Sequence, residues 1–364
     1  MTNRPDTDPV LYFEGDTLYA DMLDAIDTAR ERVWMESYIF SADAVGRRFG
    51  AALARAARRG LDVRLHVDAL GSLFLLPSDF VTTLRRAGVR FRAFHRWSWR
   101  DPWRYNRRNH CKLLIIDRRC VFLGGFNIHR ENSAALYGIR RWRDTHVALP
   151  NPSLTARAAG LFETFWRRRP PAWLQHRPPP LELDGDLLIS NRLPRQRHAM
   201  SRLFRRGLRT ARREIQLTTP YFAPDRRTRR HLYAAAARGV AVHLLLPAVT
   251  DRWLLRMTAW HIYRRLLRHG IHIHEYRPRT LHAKTLVVDG EWATLGTANL
   301  DYRSLFHNYE VNYVTRRPAI CTALVRQFEH DRQQAETITR SDLPRRTWWE
   351  RLAGAIGWQL RHWL

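Results

Sequence analysis

The sequence predicts an α/β fold of two similar domains, each a mixed β-sheet flanked by helices, related by a pseudo-twofold axis around one shared active site. Three observations predict it. Helices and strands alternate along the 364 residues, a long segment occurs twice, and two matching polar motifs stand at corresponding places in the two copies. The length agrees, because one domain typically has about 150 residues. A 45% hydrophobic content excludes a chain that is disordered throughout.

The duplicated segment consists of two helix-to-strand units in each half. The helix patterns are rich in Ala and Arg, and the strand patterns are short and rich in β-branched residues. Glycine is expected to end the second helix of each half, at Gly60 and Gly239. The predicted units are residues 19–32 with 33–40 and 51–60 with 61–68 in the first half, and 201–213 with 215–222 and 231–239 with 240–247 in the second.

Composition shifts divide the chain further. Residues 1–170 form the predicted N-terminal domain, 171–186 a Pro-rich linker, 187–340 the C-terminal domain, and 341–364 an amphipathic tail rich in Trp and Arg. In the tail, Thr347 and Glu350 fit a capping box that opens a helix. Apolar residues then recur at helical spacing, which is consistent either with a helix lying in a bilayer interface or with one packed on the protein core.

The charge points to a polyanionic partner. The net charge is +28, which favours nucleic acid, an anionic membrane surface or acidic substrates without choosing among them. Three cysteines form no disulfide framework, and a reducing compartment is expected. The chain opens without an apolar signal segment, and its longest stretches without a formal charge have 12 residues, at 145–156 and 239–250. A spanning helix needs about 20 apolar residues, so none is expected.

The only two lysines among the 62 basic residues lie in two copies of one motif, H-x-K-x4-D, followed by a glycine-containing turn and an asparagine. Residues i and i+2 of a strand share a face, so each His and Lys is expected to point into one cavity. The glycines are expected to let the backbone approach a ligand closely. The first copy comprises His110, Lys112, Asp117, Gly125 and Asn127, and the second His282, Lys284, Asp289, Gly296 and Asn299.

These residue types suit a phosphodiester. Ammonium groups neutralise phosphoryl oxygens, and asparagine amides donate hydrogen bonds as charge builds in the transition state. Two imidazoles divide the work, one as nucleophile and one as acid for the leaving alkoxide. Each half also holds a later carboxylate expected to orient the histidine of its own half: Asp144 follows His110 by 34 residues, and Glu310 follows His282 by 28.

At these motifs the chain resembles the phospholipase D superfamily, whose signature is two HKD motifs, and within it the bacterial cardiolipin synthases. Other segments carry the narrower resemblance, and the closing 343–349 is similar to the tail of cardiolipin synthase B. The paired N-terminal transmembrane helices of the main bacterial enzyme are missing, which favours the shorter, peripheral kind. The segments that resemble bacterial cardiolipin synthases are Glu14-Gly-Asp-Thr, Trp142-Arg-Asp-Thr-His-Val, Pro220-Tyr-Phe, Asn299-Leu-Asp and Asn308-Tyr-Glu-Val-Asn.

The resemblance implies a transfer reaction that uses neither metal nor cofactor. A histidine takes the phosphatidyl group of phosphatidylglycerol, releasing glycerol, and passes it to a second phosphatidylglycerol. The implied active-site set is the His, Lys and Asp of both motifs. His110 is favoured as nucleophile and His282 as acid and then base, and the reverse assignment stays open because the motifs are near mirror images.

The implied partners are phosphatidylglycerol and an anionic phospholipid membrane, with peripheral attachment to the cytoplasmic face of a bacterial inner membrane. A nucleic acid partner is not expected, the oligomeric state is open, and a monomer suffices for one site. The loop 95–104, with interleaved Trp and Arg, could border a lipid entrance, pack structurally or contact nucleic acid. Three rival functions remain: a phospholipase D that forms phosphatidic acid, a nuclease or DNA-binding protein favoured by the charge, and a non-catalytic membrane-binding protein.

Overall fold

The computed structural model describes residues 8–95, 99, 106–167, 185–345 and 347–360. The predicted linker lies outside the described residues except for its last two positions, and most of the loop 95–104 lies outside them as well. The predicted α/β architecture is confirmed, with two mixed sheets and helices against both.

The first half is built on a seven-stranded sheet of order β1-β7-β6-β5-β2-β3-β4. Strands β2, β3 and β4 run parallel to each other, and the other pairings are antiparallel. The strands are β1 Val10–Tyr12, β2 Arg32–Ser37, β3 Asp62–Asp68, β4 Arg90–Phe94, β5 Leu113–Ile116, β6 Cys120–Gly124 and β7 His146–Leu149; the helices are α1 Gly15–Asp27, α2 Ala44–Arg58, α3 Ala69–Ser72, α4 Ser78–Arg86, α5 Ala134–Tyr137 and α6 Pro152–Trp166.

The second half repeats this topology and adds one strand. Its eight-stranded sheet has the order β17-β12-β11-β9-β13-β14-β16-β8, and a separate two-stranded sheet pairs β10 with β15. The strands are β8 Leu187–Ser190, β9 Glu214–Thr218, β10 Phe222–Ala223, β11 Ala241–Pro247, β12 His272–Tyr276, β13 Thr285–Val288, β14 Trp292–Gly296, β15 Leu300–Asp301, β16 Val311–Thr315 and β17 Ala335–Ile338; the helices are α7 Ala199–Thr210, α8 Arg226–Ala237, α9 Trp253–Arg268, α10 Tyr302–Phe306, α11 Pro318–Gln333 and α12 Trp348–Leu360.

Equivalent residues set the bounds of the repeated helices. The Asp43 carboxylate accepts backbone N–H groups at the start of α2, and the Asp225 carboxylate does the same for α8. Just beyond the other ends, Gly60 has a φ of +90° and Gly239 a φ of +85°, which glycine adopts without steric cost. Each helix therefore stops where the chain must turn into β3 or β11.

The two halves share a hydrophobic core. One buried cluster joins side chains from β5, β6 and α6 of the first half to side chains from β13, β14 and β16 of the second. Trp34 and Phe162 stack within it, with ring centroids 5.3 Å apart. This shared packing presses one face of each sheet against the other half, and it brings the ends of β5 and β13 that carry the motifs together.

The tail helix packs on the second half. Its predicted capping box is confirmed, because the Thr347 N–H donates to the Glu350 carboxylate at 2.9 Å. Gly354 and Gly357 let α12 lie close to α9, and Trp358 is buried in the core. The opposite face stays exposed and carries Trp349, Leu352 and Ile356. None of the helices in the described ranges is long and apolar enough to cross a bilayer.

Candidate active site

Histidines of both halves line one cavity of about 580 Å³. His110 lies just before β5, and His282 lies just before β13, the equivalent strand. Both imidazoles are buried except where they meet the cavity. The size suits a compact polar ligand, because small-molecule sites usually measure about 300–1,000 Å³. The shared cavity that the sequence predicts is therefore present for the two histidines, whereas neither motif lysine is among the residues that line it in the described part of the chain.

Each histidine is held by a carboxylate of the other half. His110 Nδ1 lies 3.0 Å from Glu310 Oε2, and His282 Nδ1 is hydrogen-bonded to Asp144 Oδ2. The expectation that Asp144 serves His110 and Glu310 serves His282 is therefore wrong, and the pairing is crossed. A carboxylate on Nδ1 fixes that nitrogen as the donor and leaves Nε2 with its lone pair.

Backbone contacts between the halves explain the crossing. The His110 N–H donates to Tyr309 O at 3.0 Å, next to Glu310. The His282 N–H donates to Arg143 O at 2.7 Å, next to Asp144. These contacts are reciprocal, as a pseudo-twofold relation between the halves requires. Each motif histidine thus lies beside the carboxylate segment of the opposite half.

The glycines after each motif make room for protein atoms. A Cβ on Gly125 would lie 1.9 Å from Asp144 Oδ1, and one on Gly296 would lie 2.4 Å from Val311 O. The expectation that these glycines admit a ligand is not supported by these neighbours. The close approach at Gly125 instead allows Asp144 to reach His282, and that at Gly296 allows β14 to lie against β16.

The two lysines are buried next to the histidines. Lys112 Nζ donates to His110 O at 2.8 Å, and Lys284 Nζ donates to His282 O. Burial lowers the pKa of Lys112 to about 7 and that of Lys284 to about 8, and Lys284 also lowers the pKa of Lys112. Ammonium groups that repel each other at one place favour an anion between them.

The imidazoles are in the form that a nucleophile or base requires. Burial lowers the pKa of His110, although Glu310 opposes the shift, and burial also lowers the pKa of His282 against the opposing effect of Asp144. Both rings are therefore neutral at neutral pH. An arriving phosphodiester brings negative charge that favours protonation of a facing ring, so one histidine can become the acid.

The two asparagines also line the cavity. Asn127 Oδ1 accepts the Ile39 N–H at 3.1 Å, which leaves its Nδ2 as the group that can donate to a ligand. Asn299 Nδ2 lies 3.4 Å from Asp301 Oδ2, and Asp301 is another of the residues that line the cavity. Both side chains are placed where donors to a phosphoryl oxygen are expected.

The aspartates of the two motifs lie away from the cavity. Asp117 and Asp289 sit in the turns after β5 and β13, and those strands, about 13 Å long at 3.3 Å per residue, separate them from the histidines. Both have positive φ, +53° and +57°. The expectation that they belong to the active-site set is not supported by their positions.

The carboxylates of these aspartates instead bind the backbone at the starts of the neighbouring strands β2 and β9. Asp117 accepts the backbone N–H groups of residues 30–32 at 2.8–3.2 Å, and Asp289 accepts those of residues 212–214 at 2.7–3.2 Å. Burial opposes ionisation of Asp117, but the three N–H donors keep its pKa below the ordinary value. Each aspartate therefore ties the far end of the strand that follows a histidine, β5 or β13, to the start of the neighbouring strand, β2 or β9.

Asp117→Ala is expected to lower the free energy of unfolding by about 1–3 kcal/mol, because three N–H groups lose their acceptor and alanine disfavours positive φ. Urea denaturation measures this loss. Turnover per folded molecule is expected to stay within about twofold of wild type. Asp117→Asn keeps one acceptor oxygen and tolerates the turn, so it should lose less stability. Loss of turnover in fully folded Asp117→Ala would contradict the structural role.

A buried network that sequence reasoning missed positions the His110 segment. Arg108 pairs with Asp68 at 2.7 Å, and the Asn109 N–H donates to the other Asp68 oxygen at 2.8 Å. Asn109 Nδ2 donates to Glu36 at 2.5 Å. Asp68 is the last residue of β3 and Glu36 the next-to-last residue of β2, and acidic residues at these strand ends are the sequence signal that could have found the network.

Aromatic rings that were not predicted as site residues flank both histidines. Tyr38 meets His110 edge-on with centroids 5.0 Å apart, and Tyr221 meets His282 at 6.4 Å. Trp142 lies 5.1 Å from His282. The two tyrosines follow the equivalent strands β2 and β9, so alignment of the two halves was the signal that could have found them.

Comparison with known proteins identifies the family. Residues 22–166 and 204–332 match the family model described as cardiolipin synthase, PLD-like domain. The chain is 31% identical to a cardiolipin synthase of Clostridium perfringens over 98% of its own length and 76% of that protein. It is 32% identical to cardiolipin synthase B of Escherichia coli K12 over 96% of its own length and 86% of that protein.

Two further similarities extend the comparison. A probable cardiolipin synthase of Bacillus subtilis is 32% identical over 89% of the chain, which spans 66% of that relative. The crystal structure of a Haemophilus influenzae phosphatidylserine synthase matches 98% of the chain and 95% of its own length, with a TM-score of 0.75 at 12% identity, and shows the shared fold. With its two topologically equivalent halves and paired His-x-Lys motifs, the chain belongs to the cardiolipin synthase family of phospholipase D-like proteins.

Proposed function

We propose that the protein is a phosphatidyltransferase, a cardiolipin synthase that joins two phosphatidylglycerol molecules and releases glycerol. The observation that carries the proposal is the crossed pair of histidines, each with Nδ1 on a buried carboxylate and both on one cavity. A site with two such groups can attack phosphorus from one side and protonate the leaving oxygen on the other.

In the first step, His110 Nε2 forms a bond to the phosphorus of phosphatidylglycerol. The bond from phosphorus to the glycerol headgroup oxygen breaks, and His282, protonated as the anionic substrate binds, gives its proton to that oxygen. Glycerol leaves, and the phosphatidyl group stays on His110. The ammonium groups of Lys112 and Lys284 and the amide of Asn127 stabilise the charge on the phosphoryl oxygens.

In the second step, the hydroxyl of another phosphatidylglycerol attacks the same phosphorus. His282, now neutral, takes the hydroxyl proton, and the bond between phosphorus and His110 Nε2 breaks. The product is cardiolipin, and both histidines return to their starting states. Asp144 stabilises the imidazolium that His282 becomes, and Glu310 keeps the His110 ring oriented for attack.

Product analysis tests this function. The purified protein is incubated with phosphatidylglycerol vesicles, and lipids and free glycerol are measured by mass spectrometry. We expect one glycerol for each cardiolipin. Phosphatidic acid without cardiolipin would instead identify a hydrolase. Cleavage of plasmid DNA by a protein that leaves the lipids unchanged would identify a nuclease.

We also propose that the protein binds an anionic phospholipid membrane peripherally, at the cytoplasmic face of the bacterial inner membrane, with the cavity mouth toward the lipid. Leu70 and Trp253 line the cavity, yet they are 40% and 64% exposed, and nearby in sequence Phe74 is 89% exposed. These residues follow the equivalent strands β3 and β11, so each half contributes apolar side chains near the mouth. The cavity has room for headgroups, and acyl chains would remain in the bilayer.

Phe74→Glu is expected to weaken binding to phosphatidylglycerol vesicles about 10-fold or more, because burying a phenylalanine side chain contributes about 1.5–3 kcal/mol. Vesicle flotation measures the binding, and the melting temperature should not change. Arg118→Gln is the matched control, since it also lowers the net charge by one. The Arg118 side chain is 82% exposed and lies in the turn after β5. Equal binding of both variants would contradict this orientation.

A further inference from the structure

The cavity is lined by a group of cations that does not include the two motif lysines. Arg252 immediately precedes α9, Arg303 lies in α10, and both line the cavity with Tyr38, which follows β2. Three separate chain segments from both halves therefore bring phosphate-binding groups to one cavity. Guanidinium groups are well suited to phosphate because they donate two parallel hydrogen bonds.

Arg303 is fixed by hydrogen bonds and lies near other positively charged side chains. Its guanidinium donates to Asn106 Oδ1 at 2.9 Å and to Asn106 O at 2.7 Å. Burial lowers the pKa of Arg303, and the positive charges of Arg108 and Arg252 lower it further, against the effect of Asp301. Arginines gathered at a partly buried place repel each other, and a bound anion would relieve that repulsion.

Arg252 is held loosely enough to bind a ligand. Its Nε lies 3.8 Å from Asp251, at the far limit of an ion pair, and its side chain is 65% exposed. Both oxygens of Asp251 already accept the hydroxyl of Tyr221, at 2.7 and 2.9 Å. The Arg252 guanidinium can therefore turn to a ligand without breaking a buried ion pair.

The two equivalent tyrosines differ in a way that supports the same site. The Tyr221 hydroxyl is committed to Asp251, whereas the Tyr38 hydroxyl makes no hydrogen bond within the part of the chain that is described. Burial raises the pKa of Tyr38, so the phenol stays protonated and can donate. The pseudo-twofold symmetry is thus broken, with an available donor beside His110 only.

We propose that Arg252, Arg303 and the Tyr38 hydroxyl form a second phosphate site, which binds the phosphodiester of the acceptor lipid. The inference rests on the proposed function. An acceptor phosphatidylglycerol brings its own negative phosphate into the cavity, separated by one glycerol unit from the phosphorus that its hydroxyl attacks. The motif lysines neutralise the reacting phosphate, and the second site neutralises the acceptor phosphate. The enzyme thereby selects an anionic phospholipid over a free alcohol or water.

Two reactions of the same enzyme separate the two phosphate sites. Exchange of isotopically labelled free glycerol into phosphatidylglycerol needs only the donor phosphate and the histidines, whereas cardiolipin formation needs both phosphates. We expect Arg252→Gln to lower the ratio of cardiolipin formation to glycerol exchange by about 10-fold or more, since hydrogen bonds to charged groups are worth about that factor. Arg303→Gln should lower the ratio in the same direction, and Arg118→Gln should leave it unchanged.

An unchanged ratio in Arg252→Gln and Arg303→Gln would overturn the second site. If the ratio stays unchanged because exchange and cardiolipin formation fall equally, these arginines serve the donor phosphate instead. Failure of the proposed function is a different result, since it appears before any substitution: the wild-type protein would form phosphatidic acid without cardiolipin.

Discussion

His110→Ala and His282→Ala are each expected to lower cardiolipin formation by about 10⁴-fold or more. Removing one member of a group that acts as a unit costs about as much as removing the whole group, so the two losses should be similar, and the double variant should lose little more. Initial rates with phosphatidylglycerol vesicles, followed by lipid mass spectrometry, measure the losses.

Controls distinguish this loss from misfolding or poor membrane attachment. Both variants should bind vesicles as wild type does, because the histidines are buried, whereas the apolar residues proposed to contact the lipid are exposed. Asp117→Ala provides a second comparison, since it changes a motif residue outside the cavity and should keep its turnover. Retained turnover in either histidine variant would refute the paired mechanism.

Asp144→Asn and Glu310→Gln are expected to lower turnover by about 10²–10⁴-fold. Each substitution keeps the side-chain shape but removes the negative charge that fixes the Nδ1–H tautomer and stabilises an imidazolium. Because the pairing is crossed, Glu310→Gln should change the environment of His110, and Asp144→Asn that of His282.

Nitrogen-15 NMR of labelled histidines measures the environment of each ring. The signals of His110 and His282 are assigned from the alanine variants. Each carboxylate variant should shift the Nδ1 signal of the histidine in the opposite half. A shift of the His110 signal in Asp144→Asn, with the His282 signal unchanged, would indicate that each carboxylate binds the histidine of its own half. That result would contradict the crossed geometry.

Most of the fold could be predicted from the duplicated segment of the sequence. It located β2, β3, β9 and β11 and the helix that precedes each of them, because glycine stops and β-branched runs are local signals. It also located both histidines, since two copies of one motif with the only two lysines are hard to explain otherwise. Local signals could not show which half supplies each carboxylate, because Glu310 and Asp144 reach their histidines through contacts between halves.

The motif aspartates were misplaced for a different reason. Asp117 is seven residues from His110, and a strand between them already separates the two; the aspartates joined the expected set only because the resemblance implies the whole motif. The C-terminal tail could be predicted to form an amphipathic helix, but an amphipathic pattern does not show whether protein or lipid covers the apolar face. Gly354 and Gly357 set how closely α12 lies on α9, and a close approach between helices is a tertiary fact.

Direct mapping of the covalent intermediate tests whether both halves build one phosphoryl-transfer site. The protein is mixed with phosphatidylglycerol, quenched in alkali to preserve phosphohistidine, digested and analysed by mass spectrometry. We expect a phosphatidyl group on His110 in wild type, formed and consumed within the time of one turnover, and none in His110→Ala. A protein that forms cardiolipin with no adduct on either His110 or His282 would contradict this expectation.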